Sequence, residues 1–404
     1  MVANSKIRTC NFHEIQPERD VTADNFAKGQ ININWTMDSS AYFNPYHSYI
    51  KFRFQLSGED GALLITGDNI AMSMFMMDNL FQSIRLRLND KVISEITDYV
   101  PQVAALNKRM KISKERLDNY YAKTEFSQSS QDARKTVALT RKYWEIIWKP
   151  PIGFFDIDEY IPGAGGLWNL ELTPHPNPTY KKMAIESTGA DKTEGVSGQY
   201  LFIVQSMNMY LMQGIGEPVR SKSIGWEIQE TRCQSQNLTT NSLHQKTFQV
   251  HPKTRELTLA FQQIGAGIAD SRYAATKFIA QGDEQKLQRF WINYNGKQLP
   301  SPIPDPQYGG TGAELYDYLT QRYVETLKYS NYLESPETFD EWLARGPYYH
   351  FSGWDPDDQG IRAYVSQQFS AAFTTGVNVL LFDHFYKKIT ISIEGSQITN
   401  VSCV

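Results

Sequence analysis

The chain has 404 residues, a formal net charge of −4, 41% hydrophobic residues and 21% charged residues. This balance excludes an intrinsically disordered chain, and the small net charge excludes strong global attraction to nucleic acid. The length is sufficient for two domains of ordinary size, each with a hydrophobic core of its own.

The cysteines and the N-terminal residues favour a reducing compartment. Cys10, Cys233 and Cys403 are odd in number and far apart, and they form no Cys-x-x-Cys motif, so a zinc site is not expected. Residues 1–20 lack the apolar segment of a signal peptide. The longest apolar run, Ile70–Met77, is far too short to cross a bilayer.

Alternation of apolar and polar residues with period 2 predicts a series of strands in the first half of the chain. Residues 1–27 are polar and irregular and are predicted to form an N-terminal arm. Tyr42–Tyr49 is predicted to be an aromatic loop and Ser127–Arg134 a polar loop. The predicted strands are Gln30–Met37, Tyr49–Leu56, Ile84–Leu88, Tyr143–Trp148 and Leu167–Thr173.

One stretch, Leu80–Lys123, combines a strand, a tight turn, a second strand and a helix. Asn89-Asp90 suits a two-residue hairpin turn, because both residue types tolerate positive φ. Pro101 opens the helix, where its missing N–H costs little. Apolar residues at seven-residue spacing, including Val103 and Met110, give this helix one apolar face.

The same pattern recurs 206 residues later, when FWINYNGKQL at Phe290–Leu299 is aligned with IRLRLNDKVI at Ile84–Ile93. Asn295-Gly296 takes the place of the first turn and is the stronger hairpin signal. A helical run follows, with leucine or tyrosine every fourth residue from Leu315 to Leu327. The repeat at half the chain length predicts two copies of one domain. A chance match of a common strand-turn pattern is the alternative.

The second half of the chain is separated from the first by a run of low hydrophobicity, and residues 177–199 are predicted to be a linker or long loop. Many short strands between turn signals indicate a sandwich or barrel, and one helix in each half is too few for alternating strands and helices. The strands predicted here are Tyr200–Met212, Gly225–Thr231, Lys246–His251, Glu256–Gln262, Val365–Phe373, Asn378–Asp383 and Lys388–Glu394.

Two acidic clusters are candidate sites, each with a simpler interpretation that is favoured. Asp355, Asp357 and Asp358 are a candidate calcium site, but they lack the spacing of an EF-hand and fit a solvated turn. The second cluster contains the carboxylates of a candidate glycosidase site, but nothing in the sequence places a partner carboxylate opposite them, and an exposed strand end is favoured. Its members are Asp156, Asp158 and Glu159.

A basic stretch on the predicted helix is a candidate phosphate contact, although the solvated face of an amphipathic helix is favoured. It consists of Lys108, Arg109, Lys111, Lys114 and Arg116. The seven histidines form no HxH or HExxH pair: His13, His47, His175, His244, His251, His350 and His384. Neither GxSxG nor a Gly-rich phosphate loop is present. The sequence therefore predicts no enzyme activity, no cofactor, and no catalytic, cofactor-binding or metal-ligating residue.

Several short phrases, in their order along the chain, resemble those of one family. The first is LFQSIRLRLNDKVIS at Leu80–Ser94, followed by Tyr99 and Pro101. Later phrases are Ile161-Pro162 with Leu167–Thr173, Asn295–Pro300, and Ile389–Ile393. The chain resembles the double jelly-roll major capsid proteins of the adenovirus and tailless-phage lineage, among them those of virophages, polintons or adintoviruses, and large nucleocytoplasmic DNA viruses. Asp90 departs from the glycine that is frequent in the family, and the chain lacks a long insertion.

The resemblance implies an all-β fold of two tandem eight-stranded jelly-roll barrels, each with a short helix after a hairpin. The first barrel is predicted at residues 28–176 and the second at residues 200–404. It also implies a structural protein of the virion, a major capsid protein whose pseudo-hexameric homotrimers tile an icosahedral shell. A minor capsid role is left open.

The partners that the resemblance implies are neighbouring capsomers, minor or penton capsid proteins, and an inner membrane or the genome on the interior side of the shell, with no small-molecule substrate. Assembly is expected inside the host cell, without secretion through a signal peptide. The aromatic segments Tyr42–Tyr49 and Tyr348–Trp354 are predicted to be contact surfaces. The alternatives are a β-sandwich protein that binds or hydrolyses glycans through stacked aromatic rings, and a toxin-like or host-attachment protein.

Overall fold

The computed structural model describes the greater part of the chain. The described residues are 7, 9–58, 60–68, 70–125, 131–177, 179–187, 200–240, 242–263, 278, 287–299, 319–324, 326–327, 337–352, 360–369 and 376–404.

The N-terminal half forms two antiparallel sheets that pack face to face. Their strand orders are β1-β11-β3-β7, with β8 also paired to β3, and β2-β9-β5-β6, while β10 and β4 form a separate pair. The strands are β1 (Thr9–Ile15), β2 (Ile31–Thr36), β3 (Ala41–Gly58), β4 (Ile70–Met72), β5 (Phe81–Leu88), β6 (Lys91–Ile96), β7 (Tyr143–Trp148), β8 (Ile161–Pro162), β9 (Leu167–Pro174), β10 (Ile185–Ser187) and β11 (Tyr200–Ile215).

The C-terminal half repeats this plan. Its sheets have the orders β12-β19-β14-β17, with β20 also paired to β19, and β13-β18-β15-β16. The strands are β12 (Ser221–Leu238), β13 (His244–Gln249), β14 (Thr254–Gln263), β15 (Leu287–Tyr294), β16 (Lys297–Leu299), β17 (Tyr348–Phe351), β18 (Arg362–Phe369), β19 (Val377–Glu394) and β20 (Gln397–Cys403).

Helices occupy the connections between strands. Residues 319–324 are also helical, as the four-residue spacing of leucines predicts. Short 3₁₀ turns lie at Asp78–Leu80 and Gly153–Asp156, and a π-helical turn lies at Leu117–Tyr121. The α-helices are α1 (Val100–Lys111), α2 (Lys114–Arg116), α3 (Ala122–Thr124), α4 (Gln131–Ala138), α5 (Thr179–Ala184) and α6 (Phe339–Ala344).

The two halves have the same strand topology, taken in chain order. The strands β1, β2, β3, β5, β6, β7, β9 and β11 hold the same places as β12, β13, β14, β15, β16, β17, β18 and β19. The repeated hairpins are β5–β6 and β15–β16, and each lies at one end of its four-stranded sheet. Two repeats of eight strands confirm the fold class predicted from the sequence.

Both hairpin turns have the backbone that a type I′ turn requires, positive φ at both central residues. The φ angles are 46° and 65° at Asn89 and Asp90, and 49° and 73° at Asn295 and Gly296. The predicted turn residues are therefore confirmed in both repeats. The return strands begin at once, at Lys91 and at residue 297.

The core of the first repeat lies between the inner faces of its sheets and is built from aromatic rings. Trp168 of β9 stacks on Trp35 of β2 with ring centroids 6.0 Å apart, and Phe43 of β3 meets Trp168 edge-on at 4.8 Å. The indole N–H of Trp148 donates to the buried carboxylate of Asp78 at 2.8 Å. The large number of aromatic residues therefore fills this core.

Aromatic rings also lie between the sheets of the second repeat. Phe261 of β14 lies 5.3 Å from Phe369 of β18 and 6.4 Å from Phe290 of β15, between ring centroids. Phe290 also lies 4.5 Å from Tyr349 of β17. These contacts join the inner faces of its two sheets.

Three predicted segments differ from the structure. Tyr42–Tyr49 is part of strand β3 and not a loop, because Tyr42 and Phe43 point into the core and are almost fully buried. Residues 131–134 of the predicted polar loop begin helix α4, and residues 127–130 lie outside the described residues. Strand β1 lies within the predicted N-terminal arm and is held by backbone pairing to β11.

Strand pairing indicates where the first repeat ends. Strand β11 pairs with β3 and β1, and within residues 177–199 the described part contains α5 and β10. We therefore propose that the first repeat runs from β1 to β11 and the second from β12 to β20, with the boundary between Ile215 and Ser221.

Two compact units can be distinguished from contact density. Unit 1 comprises Met1–Val100, Tyr120–Glu230 and Lys387–Val404. Unit 2 comprises Pro101–Asn119 and Thr231–Tyr386. Helix α1, which follows the hairpin of the first repeat, therefore belongs almost entirely to unit 2.

Candidate functional site

The predicted glycosidase carboxylates lie at the surface and face cations or amides. Asp156 is exposed and lies 3.4 Å from the Nζ atom of Lys149. Asp158 accepts a hydrogen bond from the side chain of Asn44 at 2.9 Å and lies 3.3 Å from Nε2 of His47. Glu159 is half-buried. Among the described residues, none of these three carboxylates belongs to a group of three or more His, Cys, Asp or Glu side chains that could hold a metal ion. The calcium candidates Asp355, Asp357 and Asp358 lie outside the described residues.

The basic stretch, which spans α1 and α2, is not a uniformly solvated face. Lys108 is 8% and Arg109 3% exposed, whereas the Lys114 side chain is half exposed and lies 3.8 Å from Glu341. Neither the phosphate contact nor the solvated face predicted from the sequence applies to Lys108 and Arg109. The reason is that α1 packs within unit 2 on more than the one apolar face that its sequence indicates.

Arg109 is part of a buried ion network in unit 2. Its Nε atom donates to both carboxylate oxygens of Glu337, at 2.9 and 3.0 Å, and its Nη2 atom donates to the carbonyl of Gly346 at 3.1 Å. Arg345 donates to the same carboxylate at 2.8 Å. The guanidinium carbon of Arg109 lies 4.8 Å from the ring centre of Tyr348. Breaking such a pair costs several kcal/mol, because the partner charge stays buried.

A second buried network in unit 2 contains two histidines that no local motif connects. The Thr258 hydroxyl lies 2.7 Å from Nδ1 of His350 and 2.8 Å from Nε2 of His384. The Thr231 hydroxyl lies 2.9 Å from Nδ1 of His384 and donates to the side-chain oxygen of Asn107 on α1 at 3.2 Å. The two imidazole centroids are 5.5 Å apart.

The hydrogen-bond directions in this network are consistent with two neutral imidazoles. When the Thr231 hydroxyl donates to Asn107, its oxygen accepts from Nδ1–H of His384, and Nε2 of His384 then accepts from Thr258. Burial, with a smaller contribution from Lys111, lowers the pKa of His350 to about 3. Burial, then His350 and Lys111, lowers the pKa of His384 well below its ordinary value.

A third group, next to the histidines, joins β19 and β12 to the connection between β13 and β14. The Asp383 carboxylate accepts from Arg232 at 3.2 and 3.0 Å and from the backbone N–H of His251 at 2.9 Å. Burial raises the pKa of Asp383, and the Arg232 guanidinium opposes this shift. No local motif in the sequence connects the members of these three groups, because they come from separate strands, helices and connections.

The segments predicted to be contact surfaces are largely buried where the structure describes them. Tyr348, Tyr349 and Phe351 of β17 are at most 4% exposed, and Tyr42 and Phe43 of β3 are at most 2% exposed. The prediction that these rings form contact surfaces is therefore wrong, since they fill the cores of the repeats. Residues 353 and 354 lie outside the described residues.

The described part of the chain was also compared with the requirements of a metal site and of a membrane-spanning helix. Within it, no group of three or more His, Cys, Asp or Glu residues could hold a metal ion. None of its helices has the length and apolar character needed to span a membrane.

Comparison with known proteins identifies similar folds and no similar sequences. No family model matches the chain, and no curated protein matches it. A chain of the Sputnik virophage, solved by cryo-electron microscopy, superposes with a TM-score of 0.61 and 11% identity over 100% of this chain and 90% of its own.

Two solved major capsid proteins are also similar. The mavirus protein has a TM-score of 0.59 and 10% identity over 100% of this chain and 91% of its own. The Faustovirus protein has a TM-score of 0.52 and 10% identity over 96% of this chain and 92% of its own. The resemblance seen in the sequence is thus confirmed at the level of the fold, and the chain has the double jelly-roll fold of these viral major capsid proteins.

Proposed function

We propose that the chain is a major capsid protein, a structural component of an icosahedral DNA virus without catalytic activity. The observation that carries the proposal is the match in fold over the full length of the chain to the mavirus and Faustovirus major capsid proteins, with at least nine tenths of each protein covered. A partial match would support only a shared domain, whereas a match of both repeats supports a shared building block.

The proposed assembly is a homotrimer. Three copies of a chain with two eight-stranded repeats present six similar repeats around a threefold axis, which is a pseudo-hexameric block. Such blocks tile a shell together with neighbouring capsomers and with minor or penton proteins. The inner side of the shell then faces an inner membrane or the genome, and the protein is located in the virion.

The oligomeric state tests this proposal directly. Sedimentation of the purified full-length chain at micromolar concentration should show a species near three times 46.3 kDa, and electron microscopy should show trimers or shells. A chain that stays monomeric across assembly buffers of different salt and pH would contradict the proposal.

Glycan binding and hydrolysis are not favoured. That alternative needs exposed aromatic rings on which sugars can stack, but the rings of Tyr42, Phe43, Tyr348 and Tyr349 are buried in the repeats. Binding on a glycan array by a monomeric chain would reverse this conclusion. Addition of a chelator should leave the melting temperature unchanged, and a clear fall would point to a cation site at Asp355, Asp357 and Asp358.

A further inference from the structure

The segment Pro101–Asn119 has an unusual place in the chain, because it belongs to unit 2 while the residues before and after it belong to unit 1. Its ends are marked by backbone irregularities. Tyr99 has a φ of 56°, a conformation that is strained for an aromatic residue, and the π-helical turn Leu117–Tyr121 covers the return. The segment is therefore bounded at both ends by irregular backbone.

Within unit 2, two side chains of α1 lie one helical turn apart and face the buried histidines. Asn107 accepts a hydrogen bond from Thr231, which is bonded to His384. Lys111 is close enough for its positive charge to lower the pKa of both His350 and His384. Residues four apart lie on the same face of a helix, so one face of α1 is directed at this pair.

The surroundings of the two imidazoles suit the neutral form only. The Thr258 hydroxyl has one proton, and it lies between two ring nitrogens at 2.7 and 2.8 Å. If both rings carried a proton on these nitrogens, the hydroxyl would accept from both and its own proton would have to turn away. Burial penalises the two new charges as well, because each ring is at most 2% exposed.

Charged groups from three elements also lie near the two imidazoles. The positive charge of Lys111 on α1 lowers the pKa of both rings. The Glu256 carboxylate of β14 lies 3.7 Å from Nε2 of His350, and the Asp383 carboxylate of β19 is engaged by Arg232 of β12.

We propose that α1 is an acid-sensitive element of the fold, which leaves unit 2 when His350 and His384 become protonated. Departure of the helix removes Lys111 from the two imidazolium ions and admits water to them. The buried ion pair of Arg109 with Glu337 opposes this step, so the segment stays in place near neutral pH. The inference concerns the chain itself and does not depend on the proposed capsid function.

The sign of the pH dependence follows from the neutral folded state. Such a histidine is neutral when the segment is closed and has its ordinary pKa when the segment is open, so the open state binds more protons. Opening therefore becomes easier as the pH falls below about 6.5. Each such histidine changes the opening equilibrium by up to about tenfold per pH unit. With an open-state pKa of about 6.5, each histidine contributes roughly 25-fold between pH 7 and pH 5, so two of them predict a gain on the order of 100- to 1000-fold.

Hydrogen exchange on the full-length chain tests the proposal. Protection factors, corrected for the intrinsic exchange rate, should fall on the order of 100- to 1000-fold in α1 between pH 7 and pH 5, and fall much less in β5 and β9 of unit 1. A double variant, His350→Gln with His384→Gln, should lose this response, and Lys111→Gln should weaken it. His13→Gln on the exposed strand β1 is the matched control and should respond as the wild type does.

Two outcomes would overturn the proposal. One is α1 protection in the wild type that does not change between pH 7 and pH 5, or that changes in step with β5 and β9. The other is a double variant that retains the full acid response. If the double variant does not fold, the wild-type profile and Lys111→Gln decide the question by themselves.

Discussion

The four-stranded sheets β2-β9-β5-β6 and β13-β18-β15-β16 share one topology but are filled differently. In the first, Leu88 of β5 pairs with Trp168 of β9, and in the second, Tyr294 of β15 pairs with Ala363 of β18. The large ring has therefore moved from one strand of the pair to the other while all four residues stay buried. Equivalent core positions are therefore filled by different side chains in the two repeats, and the shared topology does not depend on which strand supplies the ring.

The outer faces of these sheets differ in charge. Arg85 and Arg87 of β5 lie between Glu95 of β6 and Glu171 of β9, with nitrogen–oxygen distances of 2.7 to 3.6 Å. On the second sheet, the corresponding pairs are uncharged, Trp291 with Ser366 and Asn293 with Tyr364. One backbone plan therefore presents two different outer faces.

In both hairpin turns an asparagine contacts the neighbouring strand, but the two contacts are of different kinds. Asn89 in the first turn exchanges hydrogen bonds with Leu167, the first residue of β9, through its backbone N–H and its side-chain oxygen, both at 2.9 Å. Asn295 in the second turn packs closely against Gly360, just before β18. A Cβ atom on residue 360 would overlap the side-chain oxygen of Asn295. An asparagine at this place ties each turn to the next strand of its sheet.

The largest expected effect comes from removing the ring of the first core. Trp168→Ala should lower the free energy of unfolding by about 3–5 kcal/mol, because Trp168 is fully buried against Trp35 and Phe43. Adding Leu88→Tyr transfers the arrangement of the second repeat and should recover part of the loss. Denaturant unfolding of the single and double variants measures the coupling. If the double variant is no more stable than Trp168→Ala alone, the Leu88–Trp168 pair of the first repeat is not equivalent to the Tyr294–Ala363 pair of the second.

The next effect concerns Gln367, which points into the second core. It is fully buried opposite Phe290, and among the described residues neither atom of its amide group has a hydrogen-bond partner. Leu172 pairs with Ile84 at the equivalent position of the first repeat. Gln367→Leu should therefore raise the free energy of unfolding by about 1–3 kcal/mol. The test is the denaturation midpoint, and a lower midpoint would mean that the amide has a structural role.

A turn variant distinguishes backbone strain from packing. Gly296 has a φ of 73°, and a Cβ atom there would contact nothing within 4 Å. Gly296→Val should therefore destabilise by about 1–2 kcal/mol or more through the backbone alone, while Gly296→Asn should be mild. Asp90→Gly in the first turn is the matched change and should be neutral or slightly stabilising. Thermal melts compare the three variants, and a valine variant that melts with the wild type would refute this explanation of the turn.

The smallest effect is expected at the charged outer face. Arg87→Gln removes the 2.7 Å ion pair with Glu171 but leaves Arg85 beside the same carboxylate. The loss should be about 0.2–1 kcal/mol, and it should shrink at high salt because partly exposed pairs are screened. Melting temperatures at low and high salt measure it. A loss that is larger and independent of salt would show that Arg87 acts through packing.

Sequence pattern determined many of the strands, both hairpin turns and the repeat at half the chain length, but it missed other strands, including β1 and β20. Alternation placed β2, β7 and β9 within about one residue of their ends, and Asn-Asp and Asn-Gly marked the turns. Strands and turns depend on residues that are neighbours in sequence. The period-2 alternation of apolar residues specifies a strand, and the φ preference of Asn and Gly specifies a turn. The same local signals failed for Tyr42–Tyr49, because a run of aromatic residues with a proline does not alternate, although β3 continues through it as a strand.

Tertiary structure alone decided where the interior polar groups meet. Arg109 and Glu337 are far apart in sequence, and their pairing depends on α1 belonging to unit 2, which no period in the helix reveals. His350 and His384 come together because β17 and β19 both pair with β14. Contacts of this kind depend on which strands are neighbours in a sheet, and the free energy that selects those neighbours comes from burying whole faces rather than from any single residue.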